Sequence, residues 1–258
     1  MDSKSYRLRE FISPADGRSL VVDASAGLVL GPLPGLEHFA EAMRPISHLV
    51  DGIVASSGQA RHFTGRTRTD AALLVRADWT NALRGPDFVL PPETISHIPL
   101  LNPSDALDLG ASAVVLYFLL GHEEQIEANC MRTTVQLALQ GSQVGMPLVV
   151  DVQPVGPRVV LRDKAIELGV SYALEGGADG VAVPWPGRAS LEMILKMSTG
   201  IPVWIKPTSL EAVESELAEA LSLGAAGLWL DGRLFSWPDP LGVLETLRAK
   251  VHKLISVE

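Results

Sequence analysis

The sequence predicts an α/β protein folded as a (β/α)8 TIM barrel, one domain over residues 1–258. Three observations predict it. Eight short apolar runs, rich in Val, Leu and Ile, recur along the chain. They are continuous rather than alternating, as strands buried on both faces are. Longer stretches of helical periodicity separate them, and strand–helix alternation implies parallel pairing. The junctions also repeat. Leu109-Gly110-Ala111, Gly176-Gly177-Ala178 and Leu223-Gly224-Ala225 each stand before a run, and Gly145-Met146-Pro147 and Gly200-Ile201-Pro202 lead into two others. Eight such units in a chain of 258 residues match a closed barrel. An open doubly wound sheet is the alternative, weakened because no Gly-rich phosphate loop follows an early strand.

In chain order the expected strands are Ser19–Asp23, Gly52–Ala55, Ala71–Arg76, Ala113–Phe118, Pro147–Asp151, Gly180–Val183, Pro202–Ile205 and Gly227–Leu230. Glycine ends a helix by taking positive φ without Cβ strain, and proline opens a strand where its missing N–H does little harm. A helix is expected over Gln125–Gly141, after Glu123 and Glu124 and stopping at Gly141. Another is expected over Ser209–Leu223, with Glu211 and Glu214 near its start and Gly224 at its end. Gln59–Thr69 and the proline-rich Arg84–Pro99 read as inserted loops.

Composition narrows the function classes. With 21 Lys+Arg against 30 Asp+Glu the formal charge is −9, so nothing supplies the basic stripe that nucleic-acid phosphates need. Hydrophobic residues at 47% are too many for a disordered chain. One cysteine forms no internal disulfide. Met1 to Glu10 is polar, without the apolar run of a signal peptide, and the longest apolar run, Ala111 to Leu120, is too short for a membrane span. The expectation is a cytoplasmic protein with a small-molecule substrate and neither a nucleic-acid nor a membrane partner.

Active sites of TIM barrels sit at the C-terminal ends of the strands. Those ends carry Asp23-Ala24-Ser25, Ser56-Ser57, Arg76 with Asp78-Trp79, His122-Glu123-Glu124, Asp151 with Gln153, Trp185, Lys206, and Asp231-Gly232-Arg233. Lys206 is the sharpest of them, because it closes the apolar strand Val203-Trp204-Ile205. A desolvated amine has a lowered pKa and attacks a carbonyl to form a Schiff base. The competing reading is an ion pair with Asp151, Asp23 or Asp231, which suppresses nucleophilicity. Asp23 and Asp151 are candidates for general base, hydroxyl anchor or metal ligand, or else partners for Arg76 or Arg233. Gln153, two residues beyond Asp151, shares its face and is suited to hydrogen-bond a substrate. Gly232 and Arg233 form a candidate anion site, the alternative being an Arg233 pair with Asp231 or Asp239. Thr208-Ser209 adds donors there or caps the next helix. Trp185 is a candidate pocket wall, as are the other tryptophans, although packing is their commoner use.

No His pair has metal-ligand spacing, so no metal and no cofactor is expected. His122-Glu123-Glu124 reads as the acidic first turn of a helix, with a carboxylate-rich Mg²⁺ site as the alternative. Cys130, within that helix, reads as a packed thiol.

Together the strand ends resemble the class I aldolase family of the deoxyribose-phosphate aldolase and archaeal-type fructose-bisphosphate aldolase kind, over about Gly17 to Phe235. Asp23-Ala24-Ser25 with Gly31-Pro32 and Gly35-Leu36 is similar to the family's Asp-His-Gly, Gly-Pro and Gly-Leu. Leu109-Gly110-Ala111 through Gly121-His122-Glu123, Gly145-Met146-Pro147-Leu148 through Pro154, Gly177-Ala178-Asp179, and Gly224-Ala225-Ala226-Gly227 through Gly232-Arg233 are similar to later segments. The family's Schiff-base lysine on the sixth strand is replaced by Ala182, its tyrosine before proline by Gln153, and its phosphate-binding Gly pair after strand 7 by Pro207-Thr208. In the deoxyribose-phosphate branch a lysine does stand on strand 7, where Lys206 stands here.

The resemblance implies an aldolase-like carbon–carbon lyase on a small oxygenated carbonyl substrate carrying phosphate or carboxylate, with Lys206 as imine-forming amine and Asp23 or Asp151 relaying protons. The missing Gly pair favours a monoanion or neutral polyol over a bisphosphate. The alternatives are Asp acid/base or metal chemistry without an imine, and an inactive ligand-binding family member. The resemblance also implies a homo-oligomer.

Overall fold

The computed structural model describes residues 3–63 and 70–252. All eight expected runs form strands of one closed parallel barrel: β1 (Ser19–Asp23), β2 (Gly52–Ala55), β3 (Ala72–Arg76), β6 (Ala113–Leu120), β7 (Leu148–Pro154), β8 (Gly180–Pro184), β9 (Val203–Lys206) and β10 (Gly227–Asp231), closing in the order β1-β10-β9-β8-β7-β6-β3-β2. The two remaining strands, β4 (Asp78–Thr80) and β5 (His97–Pro99), pair antiparallel outside the barrel. The segment read as a bare loop, Arg84–Pro99, therefore ends in a strand that pins it beside β6. Of the other expected loop, Gln59–Thr69, the first part lies in a helix, Ser57–Phe63, and residues 64–69 lie outside the described residues.

Two helix boundaries differ from expectation. The helix after β6 spans Glu124–Val144 and passes through Gly141. A Cβ on Gly141 would stand 2.4 Å from the Met146 carbonyl oxygen, so this glycine admits the returning chain. Gly145, at φ +67°, is the residue that stops the helix. The helix expected from Ser209 begins at Val213. Just before the expected start, Thr208 donates its N–H and hydroxyl to the Glu216 carboxylate in the first turn of the helix, at 2.9 and 2.6 Å.

The barrel interior is filled in layers. Val21, Val54, Leu74, Val115, Val149, Ala182, Trp204 and Trp229 form one buried cluster, which Phe11 closes from the end where the strands begin. Trp204 stacks on Phe11 with centroids 5.9 Å apart and meets Trp229 edge-on at 5.8 Å. Its indole N–H donates to Ser19 at 2.6 Å. Gly180 faces this ring, and a Cβ there would come within 2.8 Å of Trp204. These two tryptophans are packing groups. Their bulk fills the lower barrel and leaves the opposite end of the strands for polar side chains. No helix among the described residues is long and apolar enough to cross a membrane.

Candidate active site

The C-terminal strand ends surround a cavity of about 720 Å³. Asp23, Asp151, Gln153, Trp185, Lys206, Asp231, Gly232 and Arg233 all line it, so the fold gathers eight of the nine residues singled out from the sequence. The ninth, Arg76, is placed differently. It is 1% exposed and does not line the cavity. Its guanidinium lies in the floor, where one amino group binds the Asp23 carboxylate and also Asp151 at 3.2 Å. Its role is therefore electrostatic and internal.

The floor is a chain of alternating charge. From one side Ser25 donates to Asp23 through its hydroxyl at 2.5 Å and its N–H at 3.0 Å. Arg76 bridges Asp23 and Asp151 through Oδ2 of each. Asp151 Oδ1 accepts from the Lys206 ammonium and from the Gln153 amide, the latter at 2.8 Å. Two cations face two carboxylates, which is how a barrel can bury Asp151 completely. Burial pushes the Asp23 carboxyl up, but Arg76, Lys206 and Ser25 outweigh it and hold Asp23 below the usual range. Arg76, against its own burial, is held charged by Asp23, Asp151 and Asp78, and its guanidinium lies over the Tyr117 ring.

Both open alternatives for Lys206 meet here. Its side chain closes β9, is 12% exposed and reaches the cavity, as an amine nucleophile must. Its nitrogen is also engaged by Asp151, as the ion-pair reading expected.

Tyr117 was missed in the sequence, hidden in the apolar run Ala113–Leu120. It pairs in register with Asp151 and lines the cavity, with its ring centroid 3.7 Å from the Arg76 guanidinium carbon. The signal available was its spacing: residues of one strand face alternate sides, and Val115, two before it, belongs to the interior cluster. Burial, with Asp23, Asp151 and Asp78, pushes its phenol well above the ordinary value, and Arg76 opposes them only in part. Tyr117 is thus a neutral O–H donor at physiological pH.

At the rim, Arg233 forks onto Asp231, with Nε 2.9 Å from both carboxylate oxygens, and Asp231 caps the short 3-10 helix Gly232–Ser236. The pairing alternative for Arg233 is the one realised. Thr208 spends its donors on the Glu216 carboxylate. Arg162 also lines the cavity, from the start of helix Arg162–Glu175. His122 is buried while Glu124 is 88% exposed, so the acidic turn does not converge as a Mg²⁺ site. Among the described residues no group of three or more His, Cys, Asp or Glu is arranged to hold a metal ion.

The chain is 25% identical over 257 residues to a 2-amino-4,5-dihydroxy-6-oxo-7-(phosphonooxy)heptanoate synthase of Streptomyces griseus, covering 97% of this chain and 90% of that one. It is 24% identical over 252 residues to the 3-hydroxy-5-phosphonooxypentane-2,4-dione thiolase of Escherichia coli K12, covering 95% and 81%. Among solved structures, an archaeal fructose 1,6-bisphosphate aldolase superposes with a TM-score of 0.78 at 20% identity, covering 98% of this chain and all of the other. The chain is similar to aldolase-type enzymes at low identity and shares their barrel fold. No family model matches it. On the sixth barrel strand, β8, Ala182 lies inside the buried cluster.

Proposed function

We propose that this protein is an aldolase-like carbon–carbon lyase in which Lys206 is the imine-forming amine. The observation that carries the reading is the placement of Lys206, which closes the apolar strand β9 and reaches the cavity at 12% exposure. Among the described residues lining the cavity Lys206 is the one lysine, and its partner is a carboxylate fixed by Arg76. Asp151 accepts the ammonium proton and frees the amine to attack a substrate carbonyl. Loss of water gives the protonated imine, which takes up the electron pair of the Cα–Cβ bond as it breaks to form an enamine, while the β-hydroxyl gives up its proton and becomes the carbonyl of the released fragment. Asp23 and the Tyr117 phenol are the remaining groups for moving the hydroxyl proton. Gln153 and Trp185 hold the substrate's oxygenated chain against the wall.

The relatives, by their names, make or act on phosphonooxy compounds, which supports a small phosphorylated or carboxylated carbonyl substrate. Arg162, Gly232 and Arg233 at the rim are the groups proposed for its anionic end. With Thr208 committed to Glu216, one anion is accommodated better than two. The protein is read as cytoplasmic, a single domain over 1–258 and, by family likeness, a homo-oligomer.

Borohydride reduction in the presence of a panel of small aldehydes and ketones, with and without phosphate groups, tests the imine. A reduced adduct mapped by peptide mass spectrometry to Lys206 and absent from Lys206→Arg is the expected result. An adduct elsewhere, or turnover that leaves Lys206→Arg unaffected, sinks it. A second reading is favoured by Ala182 and by the Lys206–Asp151 pair: ligand binding, or Asp acid/base chemistry, without an imine. Saturable binding with no trapped adduct selects it.

A further inference from the structure

We propose that Asp78, His97 and Cys130, none of which lines the cavity, form a buried positioning chain that fixes Tyr117. The functional weight of this inference rests on the role given to Tyr117 above, but its geometry does not.

β3 is shorter than the strand beside it. Its last partner on β6 is Val115, paired with Arg76, and the Val115 carbonyl still accepts from Ala77 N–H at 2.8 Å. β6 then runs on to Leu120 with β7 along one edge only, Tyr117 opposite Asp151. On the other edge the alternate N–H groups of Tyr117 and Leu119 have lost their strand. A buried N–H left unpaired destabilises the fold. Side chains take the place of the strand. Tyr117 N–H donates to Asp78 Oδ2 at 2.9 Å, and Leu119 N–H donates to Cys130 Sγ at 3.4 Å.

His97 ties these two acceptors together. Its Nε2 is 2.6 Å from Asp78 Oδ2 and its Nδ1 is 3.3 Å from Cys130 Sγ. Burial lowers the imidazole pKa, but Asp78 and Cys130 together push it up to about 10. Both ring nitrogens then carry protons, and both bonds run outward from His97. The three residues come from β4, β5 and the helix Glu124–Val144, so the chain locks two outer elements onto the segment of β6 that carries Tyr117. Asp78 Oδ1 is buried with no hydrogen-bond partner among the described residues. Asp78 therefore also places negative charge behind Tyr117 and Arg76, both of which respond to it.

Tyrosine labelled with ¹³C at Cζ gives a test at neutral pH that needs no substrate. The chain has three tyrosines, and Tyr117→Phe assigns the resonance. Cys130→Ser keeps an acceptor, Cys130→Val removes it at similar volume, and His97→Gln breaks the link. The expected result is that the Tyr117 resonance shifts or broadens in Cys130→Val and His97→Gln and stays at its wild-type position in Cys130→Ser, while Tyr6 and Tyr172 do not move. With a substrate found by trapping, kcat should fall about tenfold in Cys130→Val at unchanged KM, with Lys206 still trapped. An unmoved Tyr117 resonance in both disruptive variants despite a lower Tm overturns the proposal, as does a Cys130→Ser spectrum matching Cys130→Val. A wild-type protein without any adduct overturns the imine reading alone, and the spectra still decide this one.

Discussion

Lys206 reaches Asp151 across the strand that carries Ala182. Asp151 stands on β7 and Lys206 on β9, with β8 between them. In register, Ala182 lies opposite both Asp151 and Trp204, and Pro184 lies opposite Lys206. The amine thus stands one interior layer nearer the mouth than Ala182. The methyl of Ala182 keeps the intervening strand low enough for the two side chains to meet above it.

Filling that gap should break the contact. Ala182→Leu adds bulk to a layer already occupied by Trp204 and Val149. Overpacking of this kind costs about 1–3 kcal/mol. The expected outcome is a lower midpoint in urea together with loss of the borohydride adduct at Lys206.

Removing Asp151 leaves Arg76 and Lys206 short of a counter-charge in a buried floor. Asp151→Asn should destabilise by about 3–5 kcal/mol, the usual cost of breaking a buried pair. Because Lys206 also loses its proton acceptor, trapping should fail near neutral pH. Wild-type denaturation curves for this variant would refute the account of the floor.

Tyr117→Phe removes one hydroxyl and keeps the ring on Arg76. Turnover should fall by about 10²–10⁴ if the phenol moves a proton, with the Lys206 adduct still formed. Equal turnover in the two proteins removes Tyr117 from the chemistry.

Trp204 is fully buried in the lower barrel between Phe11 and Trp229. Trp204→Ala should cost about 3–5 kcal/mol through the cavity it leaves. Calorimetry that detects less than about 1 kcal/mol would mean that the interior collapses around the site.

His252 closes the chain onto the barrel's lower end, its ring nitrogens 2.9 Å from Asp16 and from Asp51. The Asp51 bond, then Asp16, raise its pKa against burial. A raised histidine contributes stability that is full below its unfolded pKa of about 6.5 and is lost as pH rises through the folded value. Asp16 works in the opposite direction: burial raises it, but His252 and its other donors hold it lowered, so its contribution is lost as pH falls through the folded value. The Tm difference between wild type and His252→Gln should therefore be largest near pH 5–6 and shrink above neutrality. A pH-independent difference would show that the ring only packs.

The barrel was legible in the sequence because its strands are buried on both faces and so read as eight uninterrupted apolar runs, most of them entered through Gly or Pro. β4 and β5 were not legible: three residues each, they carry no periodicity, and their pairing spans the proline-rich Arg84–Pro99 segment. Lys206, Asp23 and Asp151 were found because a charged side chain at the end of an apolar strand is conspicuous. Arg76 was found on the same ground, with Asp23 and Asp151 named as candidate partners, but that it would bridge both beneath the cavity was not legible. Tyr117 escaped notice since a tyrosine within Ala113–Leu120 looks like packing until its neighbours are known. Asp78, His97 and Cys130 lie far apart along the chain and meet only because β3 ends before β6 does. Local order is written in hydrophobic pattern and chain stiffness, which act between near neighbours. Which carboxylate meets which cation depends on strand register and side-chain reach around a closed ring, and only the folded barrel sets those distances.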